Sequence, residues 1–312
     1  MTNNSSKSRA SYAAKLSSLT PPLLQNPAIS PRDIYTSSSS AALFLSQVLK
    51  LPTTGPARVF VLGEAGIEEE LAALGIPCLR PSSDTSPVPS APDFAALSSP
   101  TALLPTISIV LSGLDFHPTY AKYALAHQYL LRPLPATATE GMPAEFLAMA
   151  AGKTLFLATN GDVTLPAAGT SFPGAGAMGA VLVASTGRVA VGMGKPGRRM
   201  MDAVLAGVAL NSSAGGGGKG ETLDRARCVM VGDRLDTDIV FGNESGLGGT
   251  LAVCTGVTDE EEILGVREGD PRRPGAWVET LGDLLLGLVG EGAEGGGEEG
   301  EMGGGDPGKV GG

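Results

Sequence analysis

Short apolar runs rich in β-branched residues alternate with helical stretches, and this alternation constrains the fold more than any other feature of the chain. Arg58–Leu62 (RVFVL), Ile107–Leu111 (ISIVL), Thr154–Ala158 (TLFLA), Cys228–Val231 (CVMV) and Thr250–Cys254 (TLAVC) read as buried strands, with Val189–Val191 a shorter one. Between them, Ser8–Leu19, Ser40–Leu51, Gly66–Leu74, Tyr120–Leu131, Gly179–Ala184, Met200–Leu210 and Leu281–Val289 have helical composition, and Asp238–Glu244 opens another helix. Pro21-Pro22 stops the first of these, and on Tyr120–Leu131 the spacing puts Tyr123, Ala126, Leu130 and Leu131 on one face. Residues 81–100, rich in Pro and Ser, read as a loop, and Ser212–Gly220 (SSAGGGGKG) as a flexible insertion. Strands taking turns with helices define an α/β fold with a mostly parallel sheet.

Charge and cysteine usage exclude several functions. Lys plus Arg is 22 against 32 Asp plus Glu, a net charge of −10. An acidic chain lacks the basic face that nucleic acid requires, so no nucleic-acid partner is expected. Residues 291–312 hold six of the acids among glycines and read as a disordered tail, too loose to cage calcium. Cys78, Cys228 and Cys254 are far apart and form no CxxC, which excludes a zinc site or disulfide framework and fits a reducing, cytoplasmic location. No run is long and apolar enough for a membrane span. Asp33 is the first acid, so the N-terminal composition also fits a mitochondrial transit peptide.

Four segments carry chemistry. Gly174-Ala175-Gly176-Ala177-Met178-Gly179 spells GxGxxG, but Ser171-Phe172-Pro173 precedes it and no acid follows until Asp202. A dinucleotide site needs a strand before the glycines and an acid about 20 residues after them, so a glycine-rich helix start is the better reading. Val229–Ile239 (VMVGDRLDTDI) runs an apolar strand into Gly232 and Asp233, with Asp236 and Asp238 behind. A carboxylate at the carboxyl end of a strand suits a hard cation such as Mg²⁺, and the plain alternative is a solvated acidic turn. Lys195, in Gly192–Pro196 (GMGKP), stands at a loop-to-helix turn where an ammonium can neutralise a phosphoryl oxygen; the alternative is a surface lysine. Pro196 suits the first turn of the following helix. Thr2–Arg9 (TNNSSKSR) brings a hydroxyl and two amides to a helix start near Ser5, which makes an anion site or simply a cap.

Taken in order, TNNSSKSR, GKP and VGDRLDTDI resemble motifs two, three and four of the haloacid-dehalogenase-type phosphatases. IYTSSSSAALFL, RVFVLGEAGI, LDFHPTYAKYALAHQYL, LFLATNGDVTLP, PGAGAMGA and FGNESGLGGTLAVCTGV are similar to the 4-nitrophenyl phosphatase, phosphoglycolate phosphatase and pyridoxal phosphatase branch. The likeness covers roughly residues 2–290. It implies a doubly wound, Rossmann-like core over residues 1–57 and 188–290, with a large α/β cap inserted at 58–187. It implies Mg²⁺-dependent hydrolysis of small phosphate monoesters, a small phosphorylated metabolite as partner, and a homodimer through the cap. Carried over residue by residue, Thr2 with Asn3 and Asn4 binds phosphate oxygens, Lys195 offsets phosphate charge, and Asp233 binds Mg²⁺. Asp238 supports the metal shell without touching the ion, and Asn160 and Asp162, in the cap loop facing the site, select substrate. Residues 2–9 are thereby explained without a transit peptide.

The family's first motif, a DxDG ending the first core strand, has no counterpart ahead of Thr2, and the one DxD is Asp236-Thr237-Asp238. The nucleophile, the acid/base and one metal carboxylate are therefore missing from these 312 residues. The chain reads as N-terminally truncated, its core sheet without the first strand, and so with unpaired edges and exposed apolar surface. The alternatives are an inactive isoform, a catalytically dead fragment or a non-catalytic phosphate-ligand binder.

Overall fold

In the computed structural model, residues 1–19, 29–81, 94–97, 103–167, 169–214, 223–286 and 290–291 are described. The chain divides into two compact units, residues 1–228 with 244–246, and residues 229–243 with 247–312.

The first unit runs α1 (Arg9–Leu19), α2 (Ser37–Leu43), β1 (Val59–Leu62), α3 (Ala65–Ala73), β2 (Cys78–Leu79), α4 (Phe94–Leu97), β3 (Ile109–Ser112) and α5 (Tyr120–Leu131). It continues with α6 (Ala136–Thr139), α7 (Ala144–Ala150), β4 (Leu155–Ala158), the hairpin β5 (Thr164–Ala167) and β6 (Thr170–Pro173), α8 (Ala175–Thr186), β7 (Val191–Gly192) and α9 (Arg198–Ala214). Five strands form one all-parallel sheet in the order β2-β1-β3-β4-β7. Its central strands β1, β3 and β4 are apolar at every position but Ser112, because both faces are covered. Val59, Val61, Ile109, Leu111, Leu155 and Leu157 point to one side, into a cluster with Ala41, Leu45 and Phe146. Phe60, Leu62, Val110 and Phe156 point to the other, against Ala126, Tyr129, Leu130 and Leu182. Each such side chain, fully buried, contributes about 1.5–3 kcal/mol. The sheet joins segments that the resemblance assigns to different domains. Leu45 and Leu49 pack with Val59 and Ile109, and Val191 pairs with Leu157.

Several expected boundaries shift for local reasons. The second helix starts at Ser37, not Ser40, because Thr36 and Ser39 form a reciprocal capping box; its continuation, Phe44–Val48, is a π-helix. The first helix starts at Arg9, one residue inside the Ser8–Leu19 stretch and later than the start expected near Ser5. Asn4 Oδ1 accepts from both the N–H and the hydroxyl of Ser6 (2.9 and 2.8 Å), which holds the intervening residues in a turn. On α5, Tyr129 and Leu130 are buried, three and four residues on from Ala126, while Leu131 is 55% exposed. Residues 94–97 of the expected loop are helical, and α9 extends through Ser212 to Ala214. The hairpin β5–β6 and helix α7 went unread because neither has clear apolar periodicity. Pro21-Pro22, most of the 81–100 loop, residues 215–222 and the tail beyond Glu291 lie outside the described residues.

Cys78 sits in β2, where burial, reinforced by the Glu68 carboxylate, pushes its thiol up to about 11. Thiolate is the reactive form. At pH 8 iodoacetamide should therefore modify Cys78 at least about tenfold more slowly than free cysteine, read by mass spectrometry of the Cys78 peptide.

The second unit contains β8 (Val229–Gly232), a π-helical turn (Leu235–Ile239), α10 (Val240–Glu244) up to Asn243, β9 (Gly249–Val253), α11 (Glu260–Leu264), β10 (Ala276–Val278) and β11 (Gly290–Glu291). Its sheet order is β11-β10-β9-β8, parallel except for β11. β8 was expected to be buried. Instead it is an edge strand among the described residues, with Val229 61% and Val231 42% exposed. Leu281–Leu286 of the expected last helix is a 3₁₀ helix.

Candidate functional site

Loops after parallel strands gather at one edge of a sheet, which is where ligands bind in open α/β folds. Here the loops after β4 and β7 meet the N-terminal segment. Thr159 N–H continues the ladder by donating to Ser112 O (2.8 Å), and Met193 N–H donates to Ala158 O (2.8 Å). These two bonds set Asn160 and Lys195 side by side. Thr2 enters next to Tyr35 and Thr36, its N–H donating to Tyr35 O at 2.9 Å.

Asn3 is the hub. Its Oδ1 accepts from Lys195 N–H (2.8 Å), and its Nδ2 donates to Lys195 O (3.0 Å) and to Asp162 Oδ1 (3.1 Å). Its own carbonyl accepts from Asn160 Nδ2 (2.7 Å) and from the Ser37 hydroxyl. Asn3, Asn160 and Lys195 are buried, and Asp162 is half-buried. Asp162 N–H donates to Asn160 Oδ1 (3.1 Å), so Asn160 shapes the turn that presents Asp162. Thr2 Oγ1 accepts from Asn4 N–H (3.2 Å), which leaves its hydroxyl proton without an acceptor among the described residues. The structure thus brings Asn3, Asn160, Asp162 and Lys195 together, with Thr2 adjoining. Asn4 is committed to the turn at Ser6.

The glycines explain themselves by close approach. A Cβ on Gly174 would lie 2.3 Å from Asp162 O, and one on Gly176 would lie 2.3 Å from Gly161 O. GxGxxG is therefore the start of α8 packed against the Asp162 loop, with Gly176 N–H donating to Asp162 O (2.8 Å). Gly194 was not singled out by sequence, and a Cβ there would lie 2.6 Å from Asn3 Oδ1 and 2.7 Å from Thr159 O. Gly194→Ala should destabilise the fold by about 1–3 kcal/mol, read as a lower urea midpoint at unchanged slope. Pro196 stands in the turn before Arg198 rather than inside α9. Ser37 was also missed, although its place in a Thr-Ser-Ser-Ser run is a cap signal.

In the second unit, Asp233 follows β8. Its Oδ2 accepts from Val257 N–H (3.1 Å), and its carbonyl accepts from Thr258 N–H (3.1 Å). Asp238 is buried, and its Oδ2 accepts from Arg234 N–H (3.3 Å). Arg234 also donates two bonds to Asp236 (3.1 and 2.9 Å), which hold that carboxyl below its ordinary range. A hard divalent cation takes oxygen ligands, and Asp233 supplies one of the right kind. The donor set fits in kind but is short in number. Among the described residues the one group of three metal-capable side chains is Glu64, Asp115 and His117, which does not include Asp233. There Lys122 Nζ already sits 3.0 Å from Asp115 Oδ2.

The family model for Haloacid dehalogenase-like hydrolase matches residues 1–77, and the HAD-hydrolase-like model matches residues 192–284. The chain is 38% identical over 292 residues to a 4-nitrophenylphosphatase of Schizosaccharomyces pombe, covering 91% of this chain and 80% of that one. It is 36% identical over 294 residues to the glycerol-3-phosphate phosphatase of Gallus gallus, covering 92% and 80%. A glycerol phosphate phosphatase of Mycobacterium tuberculosis, solved with calcium and with magnesium, matches at TM-score 0.59 and 28% identity. In the calcium complex the match covers 89% of this chain and 62% of that one; in the magnesium complex it covers 90% and 65%. The chain belongs to the haloacid dehalogenase-like hydrolases. Within them it is a phosphoric monoester hydrolase by class, alongside the phosphatases just named.

Proposed function

We propose that the chain carries the phosphate-holding part of a Mg²⁺-dependent phosphatase for small phosphate monoesters, of the 4-nitrophenyl phosphate, glycerol phosphate or 2-phosphoglycolate type. The observation that carries this reading is the pair of hydrogen bonds between the Asn3 side chain and the Lys195 backbone, which holds the N-terminal segment against the loop after β7. Thr2 donates its free hydroxyl proton to a phosphate oxygen, and Lys195 offsets the phosphate's negative charge. Asn160 fixes the turn that aims Asp162 at the alcohol part of the ester. Asp233 is the residue to hold the Mg²⁺ ion. Asp238 braces the Asp233 loop through Arg234. On this reading the cap is the 58–187 segment, and a homodimer forms through it in the cytoplasm. The absence of DxDG from the sequence favours a second reading, a binder that holds phosphate esters without cleaving them. Calorimetry of the 312-residue chain with inorganic phosphate and 2-phosphoglycolate tests the shared core of both. Both should bind, Lys195→Met should weaken them at least about tenfold, and no heat from a folded chain would contradict the reading.

A further inference from the structure

We infer that Asn3 is a positioning residue, which clasps the peptide of Lys195 and ties it to Asp162, and is not itself a ligand of phosphate through its side chain. The inference rests on the phosphate-binding reading above and changes the role that the resemblance gives Asn3.

The argument is a matter of hydrogen-bonding capacity. A carboxamide has two N–H donors, and both are committed: one to Lys195 O at 3.0 Å, the other to Asp162 Oδ1 at 3.1 Å. Its oxygen accepts from Lys195 N–H at 2.8 Å. The side chain is thus paired with both polar groups of the Lys195 residue, as one peptide pairs with another in a ladder. No donor remains for a phosphate oxygen. The surroundings leave it little freedom to turn away, since Asn3 is 9% exposed and Gly194 packs against its Oδ1 so closely that a Cβ would come to 2.6 Å. Its backbone is pinned as well, through Asn160 and Ser37. One residue therefore fixes where the lysine leaves the backbone and where the substrate-loop carboxylate stands. A shift of the Asp162 loop is transmitted to the root of Lys195 through a single buried amide.

Asn3→Asp isolates this role. It keeps the shape and the acceptor for Lys195 N–H, and turns the donor into an acceptor facing Lys195 O and the Asp162 carboxylate. Asn3→Asp with Asp162→Asn restores a donor to one of those two faces. The 312-residue chain and the variants Asn3→Asp, Asp162→Asn, and both together form a cycle. Two quantities are read: inorganic-phosphate affinity by calorimetry, and the hydrogen-exchange rate of the Lys195 amide without ligand. The expected result is that Asn3→Asp weakens phosphate binding and speeds Lys195 exchange by about tenfold each, the scale of a buried group left unpaired. The double variant should recover at least about threefold of each loss, with melting temperatures shared between the single and double variants. A structural role alone would lower the melting temperature and show no such recovery. If Asn3→Asp fails to fold, Asn3→Ser, which keeps a small acceptor, is measured in its place and should show the same two losses.

An unchanged Lys195 exchange rate in the single variant overturns the clasp. Faster exchange without recovery in the double variant overturns the tie to Asp162. If the unaltered chain binds no phosphate, the functional reading fails, and the exchange rates alone still decide the clasp.

Discussion

Joined upstream to a strand that ends in DxDG, the chain should hydrolyse 4-nitrophenyl phosphate when Mg²⁺ is added, while the 312 residues alone should stay at background. The expected difference is large, at least about 10⁶-fold, the low end of enzymatic rate enhancement. Phosphoryl transfer through a carboxylate needs that carboxylate at the end of a strand facing the phosphate, with a second acid to protonate the leaving oxygen. The chain's own DxD serves neither role. Asp236 accepts two bonds from Arg234, and Asp238 accepts from the Arg234 backbone inside a π-helical turn. In the joined chain, Lys195→Met should then lower turnover by about 10²–10³-fold, the usual loss when one fixed charge at a developing anion is removed. Hydrolysis by the 312 residues alone, abolished by Lys195→Met, would contradict this account by requiring a nucleophile inside the present sequence.

Lys122→Met should produce the largest loss of stability, about 3–5 kcal/mol. Lys122 Nζ lies 3.0 Å from Asp115 Oδ2 and 2.8 Å from His117 O, and the two side chains are 5% and 2% exposed. Removing the ammonium strands a buried carboxylate, and the penalty for that exceeds what the pair contributes over an apolar substitute. Lys122→Met combined with Asp115→Leu should therefore recover most of the loss. Urea denaturation with a common slope measures both. A single-variant loss under about 1 kcal/mol would place the pair among ordinary surface ion pairs.

How far the sequence could be read depended on what kind of signal each element carries. The runs VFVL and LFLA, at 59–62 and 155–158, are apolar at every position because both sheet faces are covered, and their shortness and β-branched content favour strands. Helix α5 was legible to the residue because Thr119 caps it and Leu131 ends it, and Ala126 and Leu130 lie on its buried face as expected, while Tyr129 is buried in place of Leu131. CVMV looked like a core strand because composition does not tell an edge from an interior. Thr2, Lys195 and Asp233 were legible as candidate residues because their types fall in an ordered pattern along the chain. The clasp was not, because Asn3 and Lys195 are 192 positions apart and their link runs through a backbone peptide. Gly174, Gly176 and Gly194 matter for the space they leave, which only the packing of the Asp162, Gly161 and Thr159 carbonyls reveals.

The most direct test of the central claim is a crystal structure of the chain grown with inorganic phosphate. The account predicts a phosphate whose oxygens accept from the Thr2 hydroxyl and from Lys195 Nζ, with the Asn3 carboxamide still on the Lys195 peptide. A phosphate bound elsewhere in an otherwise ordered chain, or an Asn3 side chain turned from Lys195 onto the phosphate, would contradict it.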